Sequence, residues 1–304
     1  MDLSIVIVSW NTKVLLNDCL KSIYAALPPG EHEIWVVDNA STDGSSQMVV
    51  ERFPKAHLLR NETNPGFGAA NNQAIRQCSG RYILLLNPDT YVRTNALEIL
   101  VDFMDMHPNA GVAGSKYLNP DNTLQRSCYP FPTLTRELWR LLHLDRFWLY
   151  GKYDQGKWDQ VKPRAVDVLQ GACLILRKEA LHQVGLFDED YFMYTEEVDL
   201  CYRFKEAGWL LYWVPSAEII HYGGQSTQQM ASEMFLSLYQ TKLLFFRKHY
   251  GTAKALLYKL ILLVISLFRL LLLPVALIAR PSNRVENKKL ARSYWRLLRK
   301  LPVM

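Results

Sequence analysis

The chain reads as an α/β protein built on a mostly parallel sheet with helices on both faces. Two features predict this: continuous β-branched runs alternate with amphipathic helical stretches, and a breaker follows each pair. Polar clusters sit just beyond the apolar runs, where an open parallel sheet keeps its ligands. Leu3–Val8 is an unbroken apolar run and reads as a buried strand. Thr12–Ala26 carries Val14, Leu15, Cys19, Leu20 and Ile23 at helical spacing, and Pro28-Pro29-Gly30 ends it. The unit repeats as strand Glu33–Val37 with helix Ser45–Arg52, then strand His57–Leu59 with helix Gly68–Gln77. A fourth strand, Tyr82–Leu86, stops at Asn87-Pro88-Asp89.

From about Gly111 the pattern loosens. Strands are expected at Val112–Lys116 and Val168–Leu176, separated by an aromatic stretch with Trp139, Trp148 and Trp158 that suits a substrate-facing subdomain. Lys178–Val184 and Glu197–Ala207 read as short helices and Trp209–Val214 as the last strand. The expected division is 1–110, 111–228 and a helical, basic 229–304.

With 304 residues and 49% hydrophobic content the chain can bury a substantial core. Its five cysteines are widely spaced without a C-x-x-C pair, the pattern of reduced, buried thiols. Met1–Val8 has neither the basic leader nor the apolar length of a signal peptide, so a cytosolic catalytic part is expected. The net charge of +6 belongs to the tail. From Arg280 onward eight Lys or Arg face only Glu286, and removing that +7 leaves residues 1–279 at −1. No nucleic-acid recognition motif accompanies the charge, so no nucleic-acid partner is expected.

Three polar clusters follow strands: Ser9-Trp10-Asn11, then Asp38-Asn39-Ala40-Ser41-Thr42-Asp43-Gly44, then Asn87-Pro88-Asp89-Thr90. Each alone is compatible with ordinary capping and turn chemistry. Asn64-Pro65-Gly66-Phe67-Gly68-Ala69-Ala70-Asn71-Asn72 lacks the third glycine of a dinucleotide loop, and no G-x-x-x-x-G-K-[ST] occurs. Residues 188–199 hold six carboxylates within an aromatic setting, which is costly unless partners or a cation meet them. Asp199 and Arg203 stand at i, i+4 and suit a structural ion pair. Glu196 and Glu197 at the helix start suit either dipole stabilisation or a general base of raised pKa. His221, beside Gly223-Gly224, is structural or a ligand.

In order, Ser9-Trp10-Asn11, Val37–Gly44, Asn64-x-Gly66-Phe67-Gly68, Leu86-Asn87-Pro88-Asp89, Gly171-Ala172, Glu196-Glu197-Val198-Asp199-Leu200-Cys201-x-Arg203 and His221-x-Gly223 resemble the family 2 glycosyltransferases, and within them the rhamnosyltransferase-like branch. The resemblance spans residues 3 to about 226. It implies a GT-A type fold, a nucleotide-diphospho-sugar donor, inversion at the anomeric carbon and a divalent cation, Mg²⁺ or Mn²⁺. It further implies that Ser9 and Asn11 line the nucleotide pocket, that Asp38 meets the pyrimidine base with Asn39 near the ribose, and that the loop from Gly66 through Gly68 to Asn71 closes over the donor. Asp89 matches the last acid of the D-x-D metal motif and His221 the histidine reaching the same cation. Glu197 matches the catalytic base, with Glu196 and Asp199 as neighbours able to take that role. The departure is Asn87, a neutral oxygen where D-x-D has its first acid.

The implied reaction moves a sugar, L-rhamnose from dTDP-rhamnose as first choice, to a hydroxyl of a glycan or polyprenyl-linked acceptor in cell-surface polysaccharide synthesis. A sugar nucleotidyltransferase and a catalytically silent glycan-binding scaffold are the rival readings. Ser9-Trp10-Asn11-Thr12 is not the triphosphate loop the first rival needs, and Asp89, Glu197 and His221 together argue against the second.

Ala255–Ala279 is almost wholly apolar, and its 25 residues could cross a bilayer core of about 30 Å. Arg269 near its middle and Pro274 speak instead for a helix lying in the interface or a kinked one. The basic residues beyond it, with Tyr294 and Trp295, suit a seat on anionic lipid at the cytoplasmic face of the inner membrane. Packing on its own domain or in a homodimer is the other reading.

Overall fold

The computed structural model describes residues 1–224, 231–279, 282 and 284–304; Arg280, where the basic tail begins, lies outside the described residues. Two compact units make up the chain. The first comprises Met1–Phe131, Tyr153–Phe192 and Glu196–Gln229, the second Pro132–Lys152, Met193–Thr195 and Met230–Met304.

The first unit begins with β1 (Leu3–Ser9), α1 (Lys13–Ala26), β2 (His32–Asp38), α2 (Ser45–Arg52), β3 (His57–Arg60), α3 (Phe67–Ile75) and β4 (Tyr82–Leu86). β5 (Thr90–Val92), α4 (Ala96–Met106), β6 (Ala110–Leu118), β7 (Leu124–Gln125) and β8 (Cys128–Tyr129) follow. After the excursion into the second unit come β9 (Arg164–Ala165), β10 (Val168–Leu169), β11 (Cys173–Arg177), α6 (Lys178–Val184), α7 (Glu196–Glu206) and β12 (Leu210–His221). Helix α4 was not anticipated, although Leu97, Leu100, Phe103 and Met104 bury one face of it.

The main sheet runs β3-β2-β1-β4-β11-β6-β12-β5. Strands β1 to β4 are parallel, and β12 is parallel to β6. β11 is antiparallel to both β4 and β6, so the sheet is mixed: β1 to β4, β6 and β12 run one way and β11 runs against them. The cause is local. β6 delivers the chain to the carboxyl edge, the next segments stay there, and β11 re-enters with Cys173 level with Leu86, which forces it backwards. The expected strand Val168–Leu176 is accordingly two: β10 leaves to pair with β8, and only β11 joins the main sheet. β6 starts at Ala110 and lies within this sheet, so residues before and after 110 share one core.

Side-chain alternation covers both faces. Leu3, Ile5, Ile7, Leu84 and Leu86 pack with α1 and α4, while Val6, Val8, Ile83 and Leu85 pack with α3, α6 and α7. β12 outruns the expected strand because Pro215 does not end it. A register shift between Val214 and Glu218 absorbs the proline and pairing resumes to Leu118 and Thr90. Trp158 packs on Trp213 inside this unit, whereas Trp139 and Trp148 belong to the other, so the aromatic stretch is not one subdomain.

The second unit is helical: α5 (Leu134–Leu141), α8 (Ala231–Tyr250), α9 (Thr252–Leu271), α10 (Leu273–Ala279) and α11 (Arg284–Lys300). Its core joins Tyr239, Leu243, Phe246, Tyr258, Leu262 and Leu297. Buried Glu137 accepts from Lys242 Nζ at 2.7 Å and Tyr258 OH at 3.2 Å, so its charge is met. The apolar run Ala255–Ala279 breaks at Leu272 ahead of Pro274. Among the described residues no helix is long and apolar enough to cross a membrane.

Candidate active site

The carboxyl edge of β1, β2 and β4 gathers the polar clusters, with Ser9 in register with Asp38 and Ile7 with Leu86. Asn11, at φ +51°, turns the chain after β1 and clips it to the loop after β2. Its amide donates to Ser41 Oγ at 2.9 Å, and its Oδ1 accepts from Thr42 N at 2.8 Å. Asp38 is buried; its Oδ2 accepts from Ser46 Oγ at 2.6 Å, and its Oδ1 has no hydrogen-bond partner among the described residues. Asn39 receives Asn61 Nδ2 at 2.9 Å and donates to Asn64 Oδ1 at 3.2 Å, so it arrives already oriented.

Two of the expected donor residues sit elsewhere. Ser9 is fully buried, its hydroxyl paired with Thr12 Oγ1 at 2.9 Å. Asn71 is buried and spends its amide on Phe67 O one turn back, at 2.9 Å, so it stiffens α3 rather than closing on a ligand. Gly66 does occupy a turn that only glycine fits: φ is +95°, and a Cβ would lie 2.3 Å from the Phe192 carbonyl oxygen. That carbonyl accepts Phe67 N at 3.0 Å, tying the loop to the acidic segment. Gly68 lets the loop approach Phe187, whose Cβ would stand 3.1 Å from an added methyl.

Asn87–Thr90 follows β4. Thr90 Oγ1 donates to Asn87 O at 2.7 Å, and Asn87 N to Ala172 O at 3.0 Å, which leaves Asn87 Oδ1 buried without a partner among the described residues. Asp89 is 6% exposed and His221 5%, with His221 Nε2 3.4 Å from Asp89 Oδ1. Gln125, which the sequence reading missed, assigns the proton on that ring. Its Nε2 donates to the carbonyl of His221 at 3.0 Å and to Asn119 Oδ1 at 2.8 Å, so its Oε1 must face His221 Nδ1, 2.6 Å away, and accept from it. A proton therefore sits on Nδ1, and Nε2 faces the carboxylate oxygen with no hydrogen-bond partner among the described residues. The donor set (buried carboxylate, an imidazole nitrogen without a hydrogen-bond partner among the described residues, an amide oxygen nearby) fits a divalent ion. Among the described residues no cluster of three or more His, Cys, Asp or Glu forms a closed metal cage, so further ligands would come from a bound molecule or water.

The signal that could have found Gln125 is the turn Asn119-Pro120-Asp121-Asn122, with Asn122 at φ +65°. It folds β7 back on β6 and puts Gln125 in register with Tyr117.

Of the three acids, Glu197 lies closest to the site's glycine. A Cβ on Gly171 would lie 3.9 Å from Glu197 Cβ and 3.7 Å from Phe67 Cε1. Glu196 is buried, and burial first, then the Glu197 charge, pushes its carboxyl well above the usual carboxylate range. Asp199 forms the ion pair that its i, i+4 spacing with Arg203 suggests. Its Oδ2 takes Arg203 Nε and Nη2, both at 2.8 Å. Arg203 in turn donates to Val184 O at 2.7 Å and Leu186 O at 2.8 Å, clamping the loop that leads to the acidic segment. All five cysteines are free and buried, and burial holds the Cys19 thiol up at about 12, so none is a nucleophile.

Comparison with known proteins agrees with this geometry. The profile described as glycosyl transferase family 2 matches residues 4–185. The N-acetylglucosaminyl-diphospho-decaprenol L-rhamnosyltransferase of Mycobacterium tuberculosis is 34% identical over 242 residues, 70% of this chain and 78% of that protein. Rhamnosyltransferase WbbL of Escherichia coli is 28% identical, over 70% of this chain and 88% of its own length. Among solved structures, the mannosyltransferase PcManGT from Pyrobaculum calidifontis, in complex with GDP-Man and Mn²⁺, superposes with a TM-score of 0.60 at 16% identity, covering 99% of this chain and 86% of that one. GalNAc-T7 with UDP, GalNAc and Mn²⁺ superposes at 0.57 and 16% identity, covering 73% of this chain and 44% of that one. The fold is therefore the mixed α/β, GT-A-like fold, and the chain is a glycosyltransferase belonging to family 2, similar to its rhamnosyltransferases.

Proposed function

We propose that this glycosyltransferase moves L-rhamnose from dTDP-rhamnose, with inversion, to a hydroxyl of a polyprenyl-diphosphate-linked or glycan acceptor in cell-surface polysaccharide synthesis. The relatives' specificities support the sugar and the acceptor class. The observation that carries the reading is the buried carboxylate–imidazole pair, Asp89 Oδ1 and His221 Nε2, 3.4 Å apart at the carboxyl edge of the sheet. Asp89 and His221 would hold Mg²⁺ or Mn²⁺ with Asn87 Oδ1 beside it. Bound there, the cation supplies charge neutralisation for a departing diphosphate. The unpaired Asp38 Oδ1 is matched to the imide N–H of thymine, and preset Asn39 to the ribose. Glu197 takes the acceptor hydroxyl proton as that oxygen attacks the anomeric carbon from the face opposite the diphosphate.

The test is turnover of purified protein with a panel of sugar nucleotides and a polyprenyl-linked acceptor. Acceptor-dependent release of dTDP from dTDP-rhamnose, lost in chelator and restored by Mg²⁺ or Mn²⁺, is expected. Asp89→Ala should cost more than the about 10–100-fold typical of losing an outer partner of a metal ligand. Full activity of that variant in chelator would end the cation reading. Release of diphosphate from dTTP instead would favour a nucleotidyltransferase.

The C-terminal unit is proposed to seat the enzyme on the cytoplasmic face of the inner membrane. α9 exposes Leu256, Leu260, Leu263, Val264, Leu267 and Leu271 along one side, and α11 carries Arg284, Lys288, Lys289, Arg292, Arg296 and Arg299. Full-length protein should sediment with anionic liposomes and be partly released by salt, which screens only the charged share. A chain that stays in the supernatant at low salt would assign the stripe to a homodimer.

A further inference from the structure

We propose that the C-terminal unit holds a binding pocket for one membrane lipid, taking part of an acyl chain into an apolar cleft and its phosphate onto Arg269. This rests on the membrane-seating reading above and adds to it a discrete, saturable site. The cleft, about 290 Å³, lies among Leu141, Ile265, Leu273, Leu290, Ala291 and Tyr294. That is near the lower limit of small-ligand pockets, about 300 Å³, and suits a segment of chain better than a whole lipid. Two further lining residues, Phe268 and Leu272, are 50% and 42% exposed and continue the apolar stripe of α9, so a chain could pass from the stripe into the cleft without crossing polar surface.

Arg269 gives the cleft its chemistry. Its guanidinium lies over the Tyr294 ring, 4.9 Å from the centroid, and Nη2 donates to the last carbonyl of α5, Leu141 O, and to His143 Nε2. Nε and Nη1 make no hydrogen bond to a described residue, and their three N–H groups remain for an oxyanion in the planar fork that fits phosphate. Cations reinforce it from α11, which lines the cleft through Asn287, Leu290 and Ala291 and carries Lys288 and Arg292 in the same turns. An apolar slot ending at an arginine, continuous with an apolar stripe and rimmed by cations, matches an anionic phospholipid at every point. A neutral partner helix would leave the charges unmet, and free phosphate would leave the slot unfilled.

The experiment titrates full-length protein with dodecyl phosphate below its micelle concentration, by calorimetry, beside dodecyl maltoside, inorganic phosphate and farnesyl phosphate. One saturable site for dodecyl phosphate is expected, with affinity for the maltoside lower by at least about tenfold and no uptake of inorganic phosphate. Arg269→Gln should reduce the phosphate preference. Ala291→Trp fills the cleft, leaves Arg269 in place, and should abolish the site. The proposal is overturned if wild type shows no saturable uptake, if Ala291→Trp binds like wild type, or if the maltoside binds equally. Uptake of farnesyl phosphate without dodecyl phosphate would also overturn it, by moving the site to an isoprenoid ligand. Liposome sedimentation is run on the same proteins: Ala291→Trp keeps the stripe and the cations, so it should still sediment. Failure of both proteins to sediment sinks the seating reading, while the calorimetry decides the pocket separately.

Discussion

Replacing Gln125 with leucine tests the site at the residue that assigns the proton on His221. The substitution removes the 2.6 Å contact to Nδ1 and the two amide bonds, to Asn119 Oδ1 and His221 O, that orient it. Without an acceptor at Nδ1 the imidazole is free to carry its proton on Nε2, where it points at Asp89 and blocks a cation. Loss of such an outer partner lowers metal affinity about 10–100-fold, or about 1.4–2.7 kcal/mol. Three part-buried hydrogen bonds are also lost, each contributing about 0.5–1.5 kcal/mol, so melting is followed in parallel and assays run well below the transition. The assay is the Mn²⁺ dependence of turnover at saturating donor, with Mn²⁺ binding read by electron paramagnetic resonance in the presence of dTDP. A rightward shift of both curves by one to two decades is expected. A folded Gln125→Leu protein with unchanged Mn²⁺ dependence would refute the tautomer argument and with it the ligand role of Nε2.

Glu197→Gln should lower turnover at least about a hundredfold with donor binding nearly intact, whereas Glu196→Gln should do far less, because burial already keeps Glu196 neutral. The raised Glu196 pKa has a stability consequence of definite sign. The unfolded carboxyl ionises above about 4.5 and the folded one does not, so this group's contribution is fully present below that pH and is lost as pH rises towards its folded value. Glu196→Gln should therefore gain melting temperature relative to wild type at pH 7 but not at pH 4; an equal difference at both would contradict the assignment. Asp199→Asn breaks a pair whose acid is 2% exposed and whose arginine is 24% exposed. It should cost about 3 kcal/mol by chemical denaturation, at the low end for a buried pair, with turnover per folded molecule retained. Gly66→Ala meets the Phe192 carbonyl and a positive φ at once, so donor binding and melting temperature should fall together.

Where the alternation of apolar and polar residues was regular, the fold was legible: α2, β4 and α6 lie where the spacing put them. It failed where two influences competed. Pro215 reads as a strand terminus because it lacks an N–H, yet a bulge carries β12 past it to His221, and the histidine's place in the sheet is visible only once that is known. Gly171-Ala172 sits inside one apolar run, but the chain changes sheets there, a tertiary choice with no local signature. The ligand candidates Asp89 and His221 were legible from the resemblance, being polar residues after apolar runs. Gln125 was not, since its role comes from a register 96 residues away from His221.

Among the buried polar residues beside the strand ends, hydrogen bonding makes a division that burial does not. Ser9, Asn71, Asn72 and Asp199 are each 1% exposed or less, and each bonds to the backbone or a side chain of its own unit: Thr12, Phe67, Phe187 and Arg203 respectively. Their substitution is a matter of stability. Asp38, Asp89 and His221 are nearly as buried and Asn87 is half-buried, but Asp38 Oδ1, Asn87 Oδ1 and His221 Nε2 are without hydrogen-bond partners among the described residues. A buried polar atom left unpaired costs about 1–3 kcal/mol, and these three lie at or just beyond strand ends, where an open sheet keeps its ligands. On the proposed reading these unpaired atoms await what the site binds: an N–H for Asp38, a cation for His221 with Asn87 beside it. Donor and cation should consequently raise the melting temperature more together than the sum of each alone, because the diphosphate completes the ion's coordination. Strict additivity in thermal-shift titrations would place the two in separate sites and dismantle the arrangement argued here.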